Sequence, residues 1–207
     1  MTEHEHEHHD HEHHDHDHEH EHHHHEPASY PDAVEQFRAQ KDAYYRSGLH
    51  SPIPVHEREA FEGLPYFAVD EGLVFDDRRL EPYQGDEPEN FQIPTSDGQL
   101  RPAHRAGVLR FDVGGEPRQL TAYTFDGGDG ESLFVPFLDV TSGKETYGAG
   151  RYLDLEPEED GSYTLDFNLA YHPSCVYDAR FSCPLTPAEN RLPVRIEAGE
   201  RLATDDS

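Results

Sequence analysis

Between His4 and His25 the chain is almost wholly imidazole and carboxylate, HEHEHHDHEHHDHDHEHEHHHH. Fourteen of its eighteen histidines stand here: His4, His6, His8, His9, His11, His13, His14, His16, His18, His20, His22, His23, His24 and His25. Neutral imidazole suits Zn, Ni, Cu and Co, and the interleaved Asp and Glu add oxygen donors and counter-charge. Carboxylates also raise imidazole pKa values, so protons compete with metal and capture weakens as pH falls. No fixed geometry is encoded. The expectation is several exchangeable sites of modest selectivity for a divalent transition metal whose identity the sequence does not name. The same residues also fit an expression tag, or a solvated acidic tail that binds nothing.

A second concentration of reactive groups lies between Asp139 and Asp154, DVTSGKETYGAGRYLD, and continues through Asp166 and Asn168. Catalytic candidates are Asp139, Glu145, Tyr147, Arg151, Asp154, Asp166 and Asn168. Glu145, Asp154, Asp166 and Glu197 are acids of the kind that pair for general acid–base work or hold a hard cation. Arg151 is the natural counter-ion for one of them, or for an anionic ligand. Thr141, Ser142 and Tyr147 supply hydroxyls, which need a base such as His172 within reach to become nucleophiles. The plainer reading is a loop whose Asp139, Thr141 and Ser142 satisfy backbone amides. No GxSxG is present, and Gly143, Gly148 and Gly150 form neither GxGxxG nor a P-loop. A third cluster, His172, Cys175 and Cys183, offers three soft ligands without the paired CxxC of zinc ribbons. The competing reading is two small buried thiols, close enough to pair when oxidised.

The charge balance narrows the setting. Net charge is −28, and residues 1–26 hold ten acids and no Lys or Arg. The rest keeps 34 acids against 16 bases, of which only Lys41 and Lys144 are lysines. Such a surface repels itself in dilute buffer and is screened in concentrated salt, so a salt-adapted cytoplasm is expected. No basic face exists to release counterions from phosphate, which argues against a nucleic-acid partner. No window reaches the length of a membrane span and no signal peptide is apparent, so a soluble cytoplasmic protein is expected. Metal ions, and beyond them a small molecule or a protein, remain as partners.

The elements that position these groups follow from periodicity. Residues 1–29 contain almost nothing to bury and are expected to be disordered. Tyr30 to Ser47 reads as a helix, with Pro31 in its first turn, Val34, Phe37, Lys41, Tyr44 and Tyr45 at helical spacing, and Gly48 after its end. A proline-rich connector, with one short helical turn at His56 to Glu62, leads to short strands at Tyr66 to Val69, Leu73 to Phe75 and Asn90 to Ile93. Gly107 to Val113, the turn Gly114–Gly115, and Arg118 to Phe125 form a hairpin with Leu109, Phe111 and Val113 on one face. Leu133 to Leu138 reads as a strand buried on both faces. Arg151 to Leu155 and Ser162 to Leu169 are expected to pair as a second hairpin, Leu155 opposite Tyr163. Its polar face, Tyr152, Asp154, Thr164, Asp166 and Asn168, is then either solvated or the wall of a pocket. Arg191 to Glu197 is expected to be a final edge strand with Leu192, Val194 and Ile196 inward.

FVPFLDVTSGKETYGAGRYLDLE and LDFNLAYHPSCVYDARFSCPLTPAENRLPVRIEAGE closely resemble the bacterial and archaeal domain-of-unknown-function family 1684, as do the looser FRAQKDAYYRSGLHSPI and GLPYF. The resemblance covers about Tyr30 to Arg201. It implies one domain filling the body and no established activity. His172 stands where the family's usual Tyr-Asn-Pro has Asn, which weakens a catalytic or metal role for it. The histidine tail lies outside the resemblance.

The expected architecture is a mainly antiparallel β domain, sandwich or partly open barrel, over residues 30–201. One N-terminal helix, a tail over 1–29 and a frayed acidic end at 202–207 complete it. The expected function is an uncharacterised domain with a metal-binding tail. The alternative is a hydrolase whose pocket is built from residues 139–154 and 166–190.

Overall fold

The computed structural model describes residues 28–85, 90–128 and 130–203. Helix α1 spans Tyr30–Ser47. Ser29 caps it by accepting from the Asp32 amide, Pro31 sits in the first turn, and the Gly48 N–H closes the last turn on the Tyr44 carbonyl. Its buried stripe is Val34, Arg38 and Tyr45, while Phe37 and Tyr44, expected on that stripe, are exposed.

Seven strands follow: β1 Val74–Arg78, β2 Asn90–Pro94, β3 Leu100–Val113, β4 Glu116–Thr124, β5 Leu133–Phe137, β6 Arg151–Leu155 and β7 Tyr163–Asp166. Strands β2-β3-β4-β5-β6 form one antiparallel sheet and β1-β7 a second of two strands. The β3–β4 hairpin turns at Gly114 and Gly115, both with positive φ (64° and 78°), which a two-residue hairpin turn demands of its central pair.

Direct cross-strand partners share a face. Leu109 faces Leu120, Val135 faces Leu153, and Leu133 faces Leu155. This face packs with Leu165 of the small sheet, with Leu73 and Phe167 from the short turns beside it, and with Leu192, Ile196 and Ala198 from the C-terminal segment. The result is a two-layer antiparallel β fold with one helix.

Three expected elements differ. β6 and β7 are not a hairpin: β6 pairs with β5 and β7 with β1. Alternating leucines mark strands with one buried face, but they do not say whether two strands lie side by side or face each other across a core. Arg191 to Glu197 is not a strand, although Leu192 and Ile196 are buried and Val194 half-buried as expected. Pro193 has no N–H to give a ladder. The Ile196 amide instead donates to Asp139 (2.8 Å), and its carbonyl accepts from Arg151 (2.7 Å). Tyr66 to Val69 makes only a single bridge, Tyr66 to Glu200. The histidine-rich tail, and with it the expectation of disorder there, lies outside the described residues, as does the acidic end from 204.

Candidate functional site

The side of the five-stranded sheet that faces away from the core is built by the same alternation. The register sets Arg105, Tyr123, Phe134 and Asp154 in one row across β3 to β6, with Pro136 opposite Tyr152 in the next. The stretch from Tyr171 to Leu185 folds over this face. Tyr171 exchanges both backbone hydrogen bonds with Tyr152 (2.9 and 3.0 Å). At the far end the Leu185 amide donates to the Pro94 carbonyl (2.7 Å) and the Ser96 amide to that of Cys183 (2.8 Å). The Tyr152 hydroxyl donates to the Pro184 carbonyl and ties the flap to the sheet.

Between sheet and flap lies a cleft of about 710 Å³, within the range of small-molecule sites. Its spine is a line of four rings. Phe125 and Phe134 centroids are 5.3 Å apart, Phe134 and Tyr152 4.7 Å at 71°, and Tyr152 and Tyr171 5.7 Å at 89°. Tyr171 donates its hydroxyl proton to Asp154 Oδ2 at 2.5 Å. Partial burial pushes the Asp154 carboxyl above the usual carboxylate range, opposed by that hydrogen bond and by the charge of Lys41. Burial also pushes the Tyr171 hydroxyl up, with the Asp154 charge adding to the shift.

The other catalytic candidates do not join Asp154 here. Asp139 and Arg151 form a buried knot. The Asp139 carboxylate accepts from the Thr141 hydroxyl (2.8 Å), the Ser142 hydroxyl (3.2 Å) and the Thr141 and Ile196 amides, and lies 3.6 Å from Arg151. Arg151, fully buried, donates to the carbonyls of Ile196, Ala198 and Glu200. Burial lowers its pKa to about 10, with Asp139 and Glu200 opposing the shift. Gly150 beside it has φ +106°, and a Cβ there would come within 2.5 Å of the Phe137 carbonyl. Glu145 is paired with exposed Arg195 at 2.6 Å.

Asp166 accepts from Tyr30 Oη (2.8 Å) and the Asn168 amide (2.9 Å), while Asn168 clasps both the amide and the carbonyl of Asp70 at 2.8 Å. Asp154 and Asp166 both border a smaller hollow of about 230 Å³ that includes Thr164 but neither Arg151 nor Tyr147.

The Tyr147 amide donates to His172 Nε2 (3.2 Å). An accepting Nε2 puts the proton of the neutral ring on Nδ1, a tautomer inferred from the bond; Nδ1 lies 3.7 Å from Glu200. Burial, with the charges of Arg151 and Lys41, lowers the His172 pKa to about 3. Cys175 and Cys183 are free thiols in contact, the Cys175 amide 3.3 Å from Cys183 Sγ. Burial lifts the Cys183 thiol to about 11. Among the described residues no group of three His, Cys, Asp or Glu side chains is arranged to hold a metal, and no helix is long and apolar enough to cross a membrane.

Sequence reasoning missed Arg101, Phe125, Phe134 and Glu156 of the cleft, while Tyr171 lies in the 166–190 stretch expected to wall a pocket. A signal was present. A strand apolar on both faces needs a cover for its second face, and residues 171–190 were a long irregular segment able to supply it.

The model of the family described as Protein of unknown function (DUF1684) matches residues 59–201, which contain every strand of the cleft. A search of solved structures finds the solution NMR structure of an uncharacterized protein of Haloarcula marismortui. It is 39% identical, with 82% of this chain and 92% of that chain covered and a TM-score of 0.62. No curated protein matches. The match begins at Glu59, later than the resemblance of the helix suggested, and runs through both late motifs to Arg201; the chain belongs to the DUF1684 family.

Proposed function

We propose that the β domain is a small-molecule binding module and that the histidine-rich leader collects divalent transition metals. The observation that carries the first part is the cleft. A rigid sheet supplies its floor, a flap pinned at both ends supplies its wall, and four aromatic rings form its lining. A concave aromatic surface with a few polar groups is how small-molecule sites are built. An NMR screen of the full chain against a diverse fragment panel tests it: shifts should gather at Phe134, Tyr152 and Tyr171. Fragments that perturb only other regions would refute it.

The hydrolase alternative draws less support. Asp139, Arg151, Asp166 and Asn168 spend their polar atoms on the chain's own backbone and on Tyr30.

For the leader, support comes from fourteen histidines among acids. Calorimetric titration with Zn, Ni, Cu or Co should show uptake by the full chain that is lost in a chain beginning at Ala28, which keeps the Ser29 cap. Equal uptake by both would refute capture by the leader. The excess of acids over bases outside the leader supports a salt-rich cytoplasm as its setting.

A further inference from the structure

We propose that the cleft selects an organic cation, an alkylammonium or quaternary ammonium group seated where Phe134 meets Tyr152, against the Asp154 carboxylate. This rests on the small-molecule reading above and adds the chemical class of the ligand.

The tyrosine hydroxyls of the cleft are already committed. Tyr152 donates to Pro184, Tyr171 to Asp154, and Tyr123 to Glu189 at 2.6 Å. What remains where Phe134 and Tyr152 meet Asp154 is ring surface and carboxylate oxygen, the Arg101 guanidinium lying at the Phe125 end of the line. Asp154 Oδ2 receives Tyr171, and Glu156 Oε2 receives the Ser132 hydroxyl at 2.7 Å. The second oxygen of each has no hydrogen-bond donor among the described residues. A ligand that complements this corner must carry positive charge or donate protons.

The rings point the same way, since an aromatic face attracts cations and quaternary ammonium groups are recognised by such faces. The two outer rings of the line already hold a cation of the chain itself. The Arg101 guanidinium lies 4.0 Å from the Phe125 centroid, and Lys41 Nζ lies 4.7 Å from that of Tyr171. Over the inner pair, Phe134 and Tyr152, no cation lies among the described residues. The charged side chains lining the cleft are Asp126, Asp154 and Glu156 against Arg101, a negative balance, and Lys41 is paired with Glu200 at 2.6 Å. A bound cation would also relieve the burial penalty on Asp154. Bulk potassium and sodium compete poorly for such a seat, because they hold their water and gain little from a ring face.

The test is an NMR titration of the full chain with choline and with its neutral isostere 3,3-dimethylbutan-1-ol, at fixed ionic strength. Choline should shift the Phe134 and Tyr152 resonances at about tenfold lower concentration than the alcohol. Asp154→Asn, isosteric and solvent-facing, should keep the amide spectrum of the fold and reduce choline to the level of the alcohol. Equal binding of the two compounds would overturn the cation assignment while leaving the cleft as a small-molecule site. Choline shifts confined to the histidine-rich leader would overturn it too. Silence at the cleft from both compounds and from the fragment panel would overturn this inference together with the reading beneath it.

Discussion

Arg151 and Tyr152 are neighbours on β6, yet one side chain enters the core and the other floors the cleft. On the core side, Arg151 and Asp139 act as substitutes for a missing strand. Pro193 interrupts the C-terminal ladder, and the two side chains hold the backbone of residues 196–200 in its place. On the cleft side, the Tyr152 and Asp154 side chains hold the flap by one hydrogen bond apiece, and the Phe134 ring beside them and one Asp154 carboxylate oxygen stay uncommitted. Residues of chemically active type therefore occur on both faces of one strand. Whether the chain has already used their polar atoms separates scaffold from site.

The largest effect should come from cutting the core-side knot. Arg151→Met leaves the Asp139 carboxylate buried without its counter-ion and frees three carbonyls, and should cost about 3–5 kcal/mol in urea unfolding. A loss below about 1 kcal/mol would break the contrast between the faces. Asn190→Ala should follow at about 3 kcal/mol. Its amide bridges the Thr121 amide and carbonyl and the Pro136 carbonyl at 2.7–2.8 Å, joining β4 to β5.

His172 sharpens the comparison through pH. Its folded pKa, about 3, lies below the unfolded value of 6.5. The unfolded state therefore binds the proton first. Its contribution is intact above pH 6.5 and is lost as pH falls toward 3, at up to roughly 1.4 kcal/mol per pH unit. His172→Asn keeps an acceptor for the Tyr147 amide and should flatten that slope, read from urea midpoints across the window. An unchanged slope would mean another group dominates. The smallest effect is salt. Raising KCl from about 0.1 M to about 1 M shortens the Debye length from about 10 Å to about 3 Å. The melting temperature of the acidic body should rise modestly with it; a fall would contradict the salt-adapted reading.

Much of this architecture was legible in the chain. The helix came from its cap, Pro31 and Gly48, the β3–β4 hairpin from Gly114–Gly115 between alternating strands, and β5 from an unbroken apolar run. What periodicity could not supply was pairing. Leu153 and Leu165 announce inward faces, but only the fold decides that they meet across a core rather than along a ladder. The same limit hid the site. Asp139, Arg151, Asp166 and Asn168 looked chemical because they are polar groups in a glycine-punctuated region, and burial turned them into backbone partners. Of the catalytic candidates only Asp154 reached the cleft, with Cys183 and Tyr171 from the 166–190 stretch, beside Phe125 and Phe134, which had read as plain strand residues. No local pattern marks Phe125 or Tyr171 as neighbours of Phe134, because the rings come from three separate segments.

Urea unfolding of Asp139→Asn and Asp154→Asn, measured side by side, tests the division between scaffold and site most directly. Both changes remove one charge and conserve shape, one on each face of the sheet. Asp139→Asn should lose at least about 3 kcal/mol and Asp154→Asn no more than about 1 kcal/mol. Equal losses, or a greater loss from Asp154→Asn, would contradict the account.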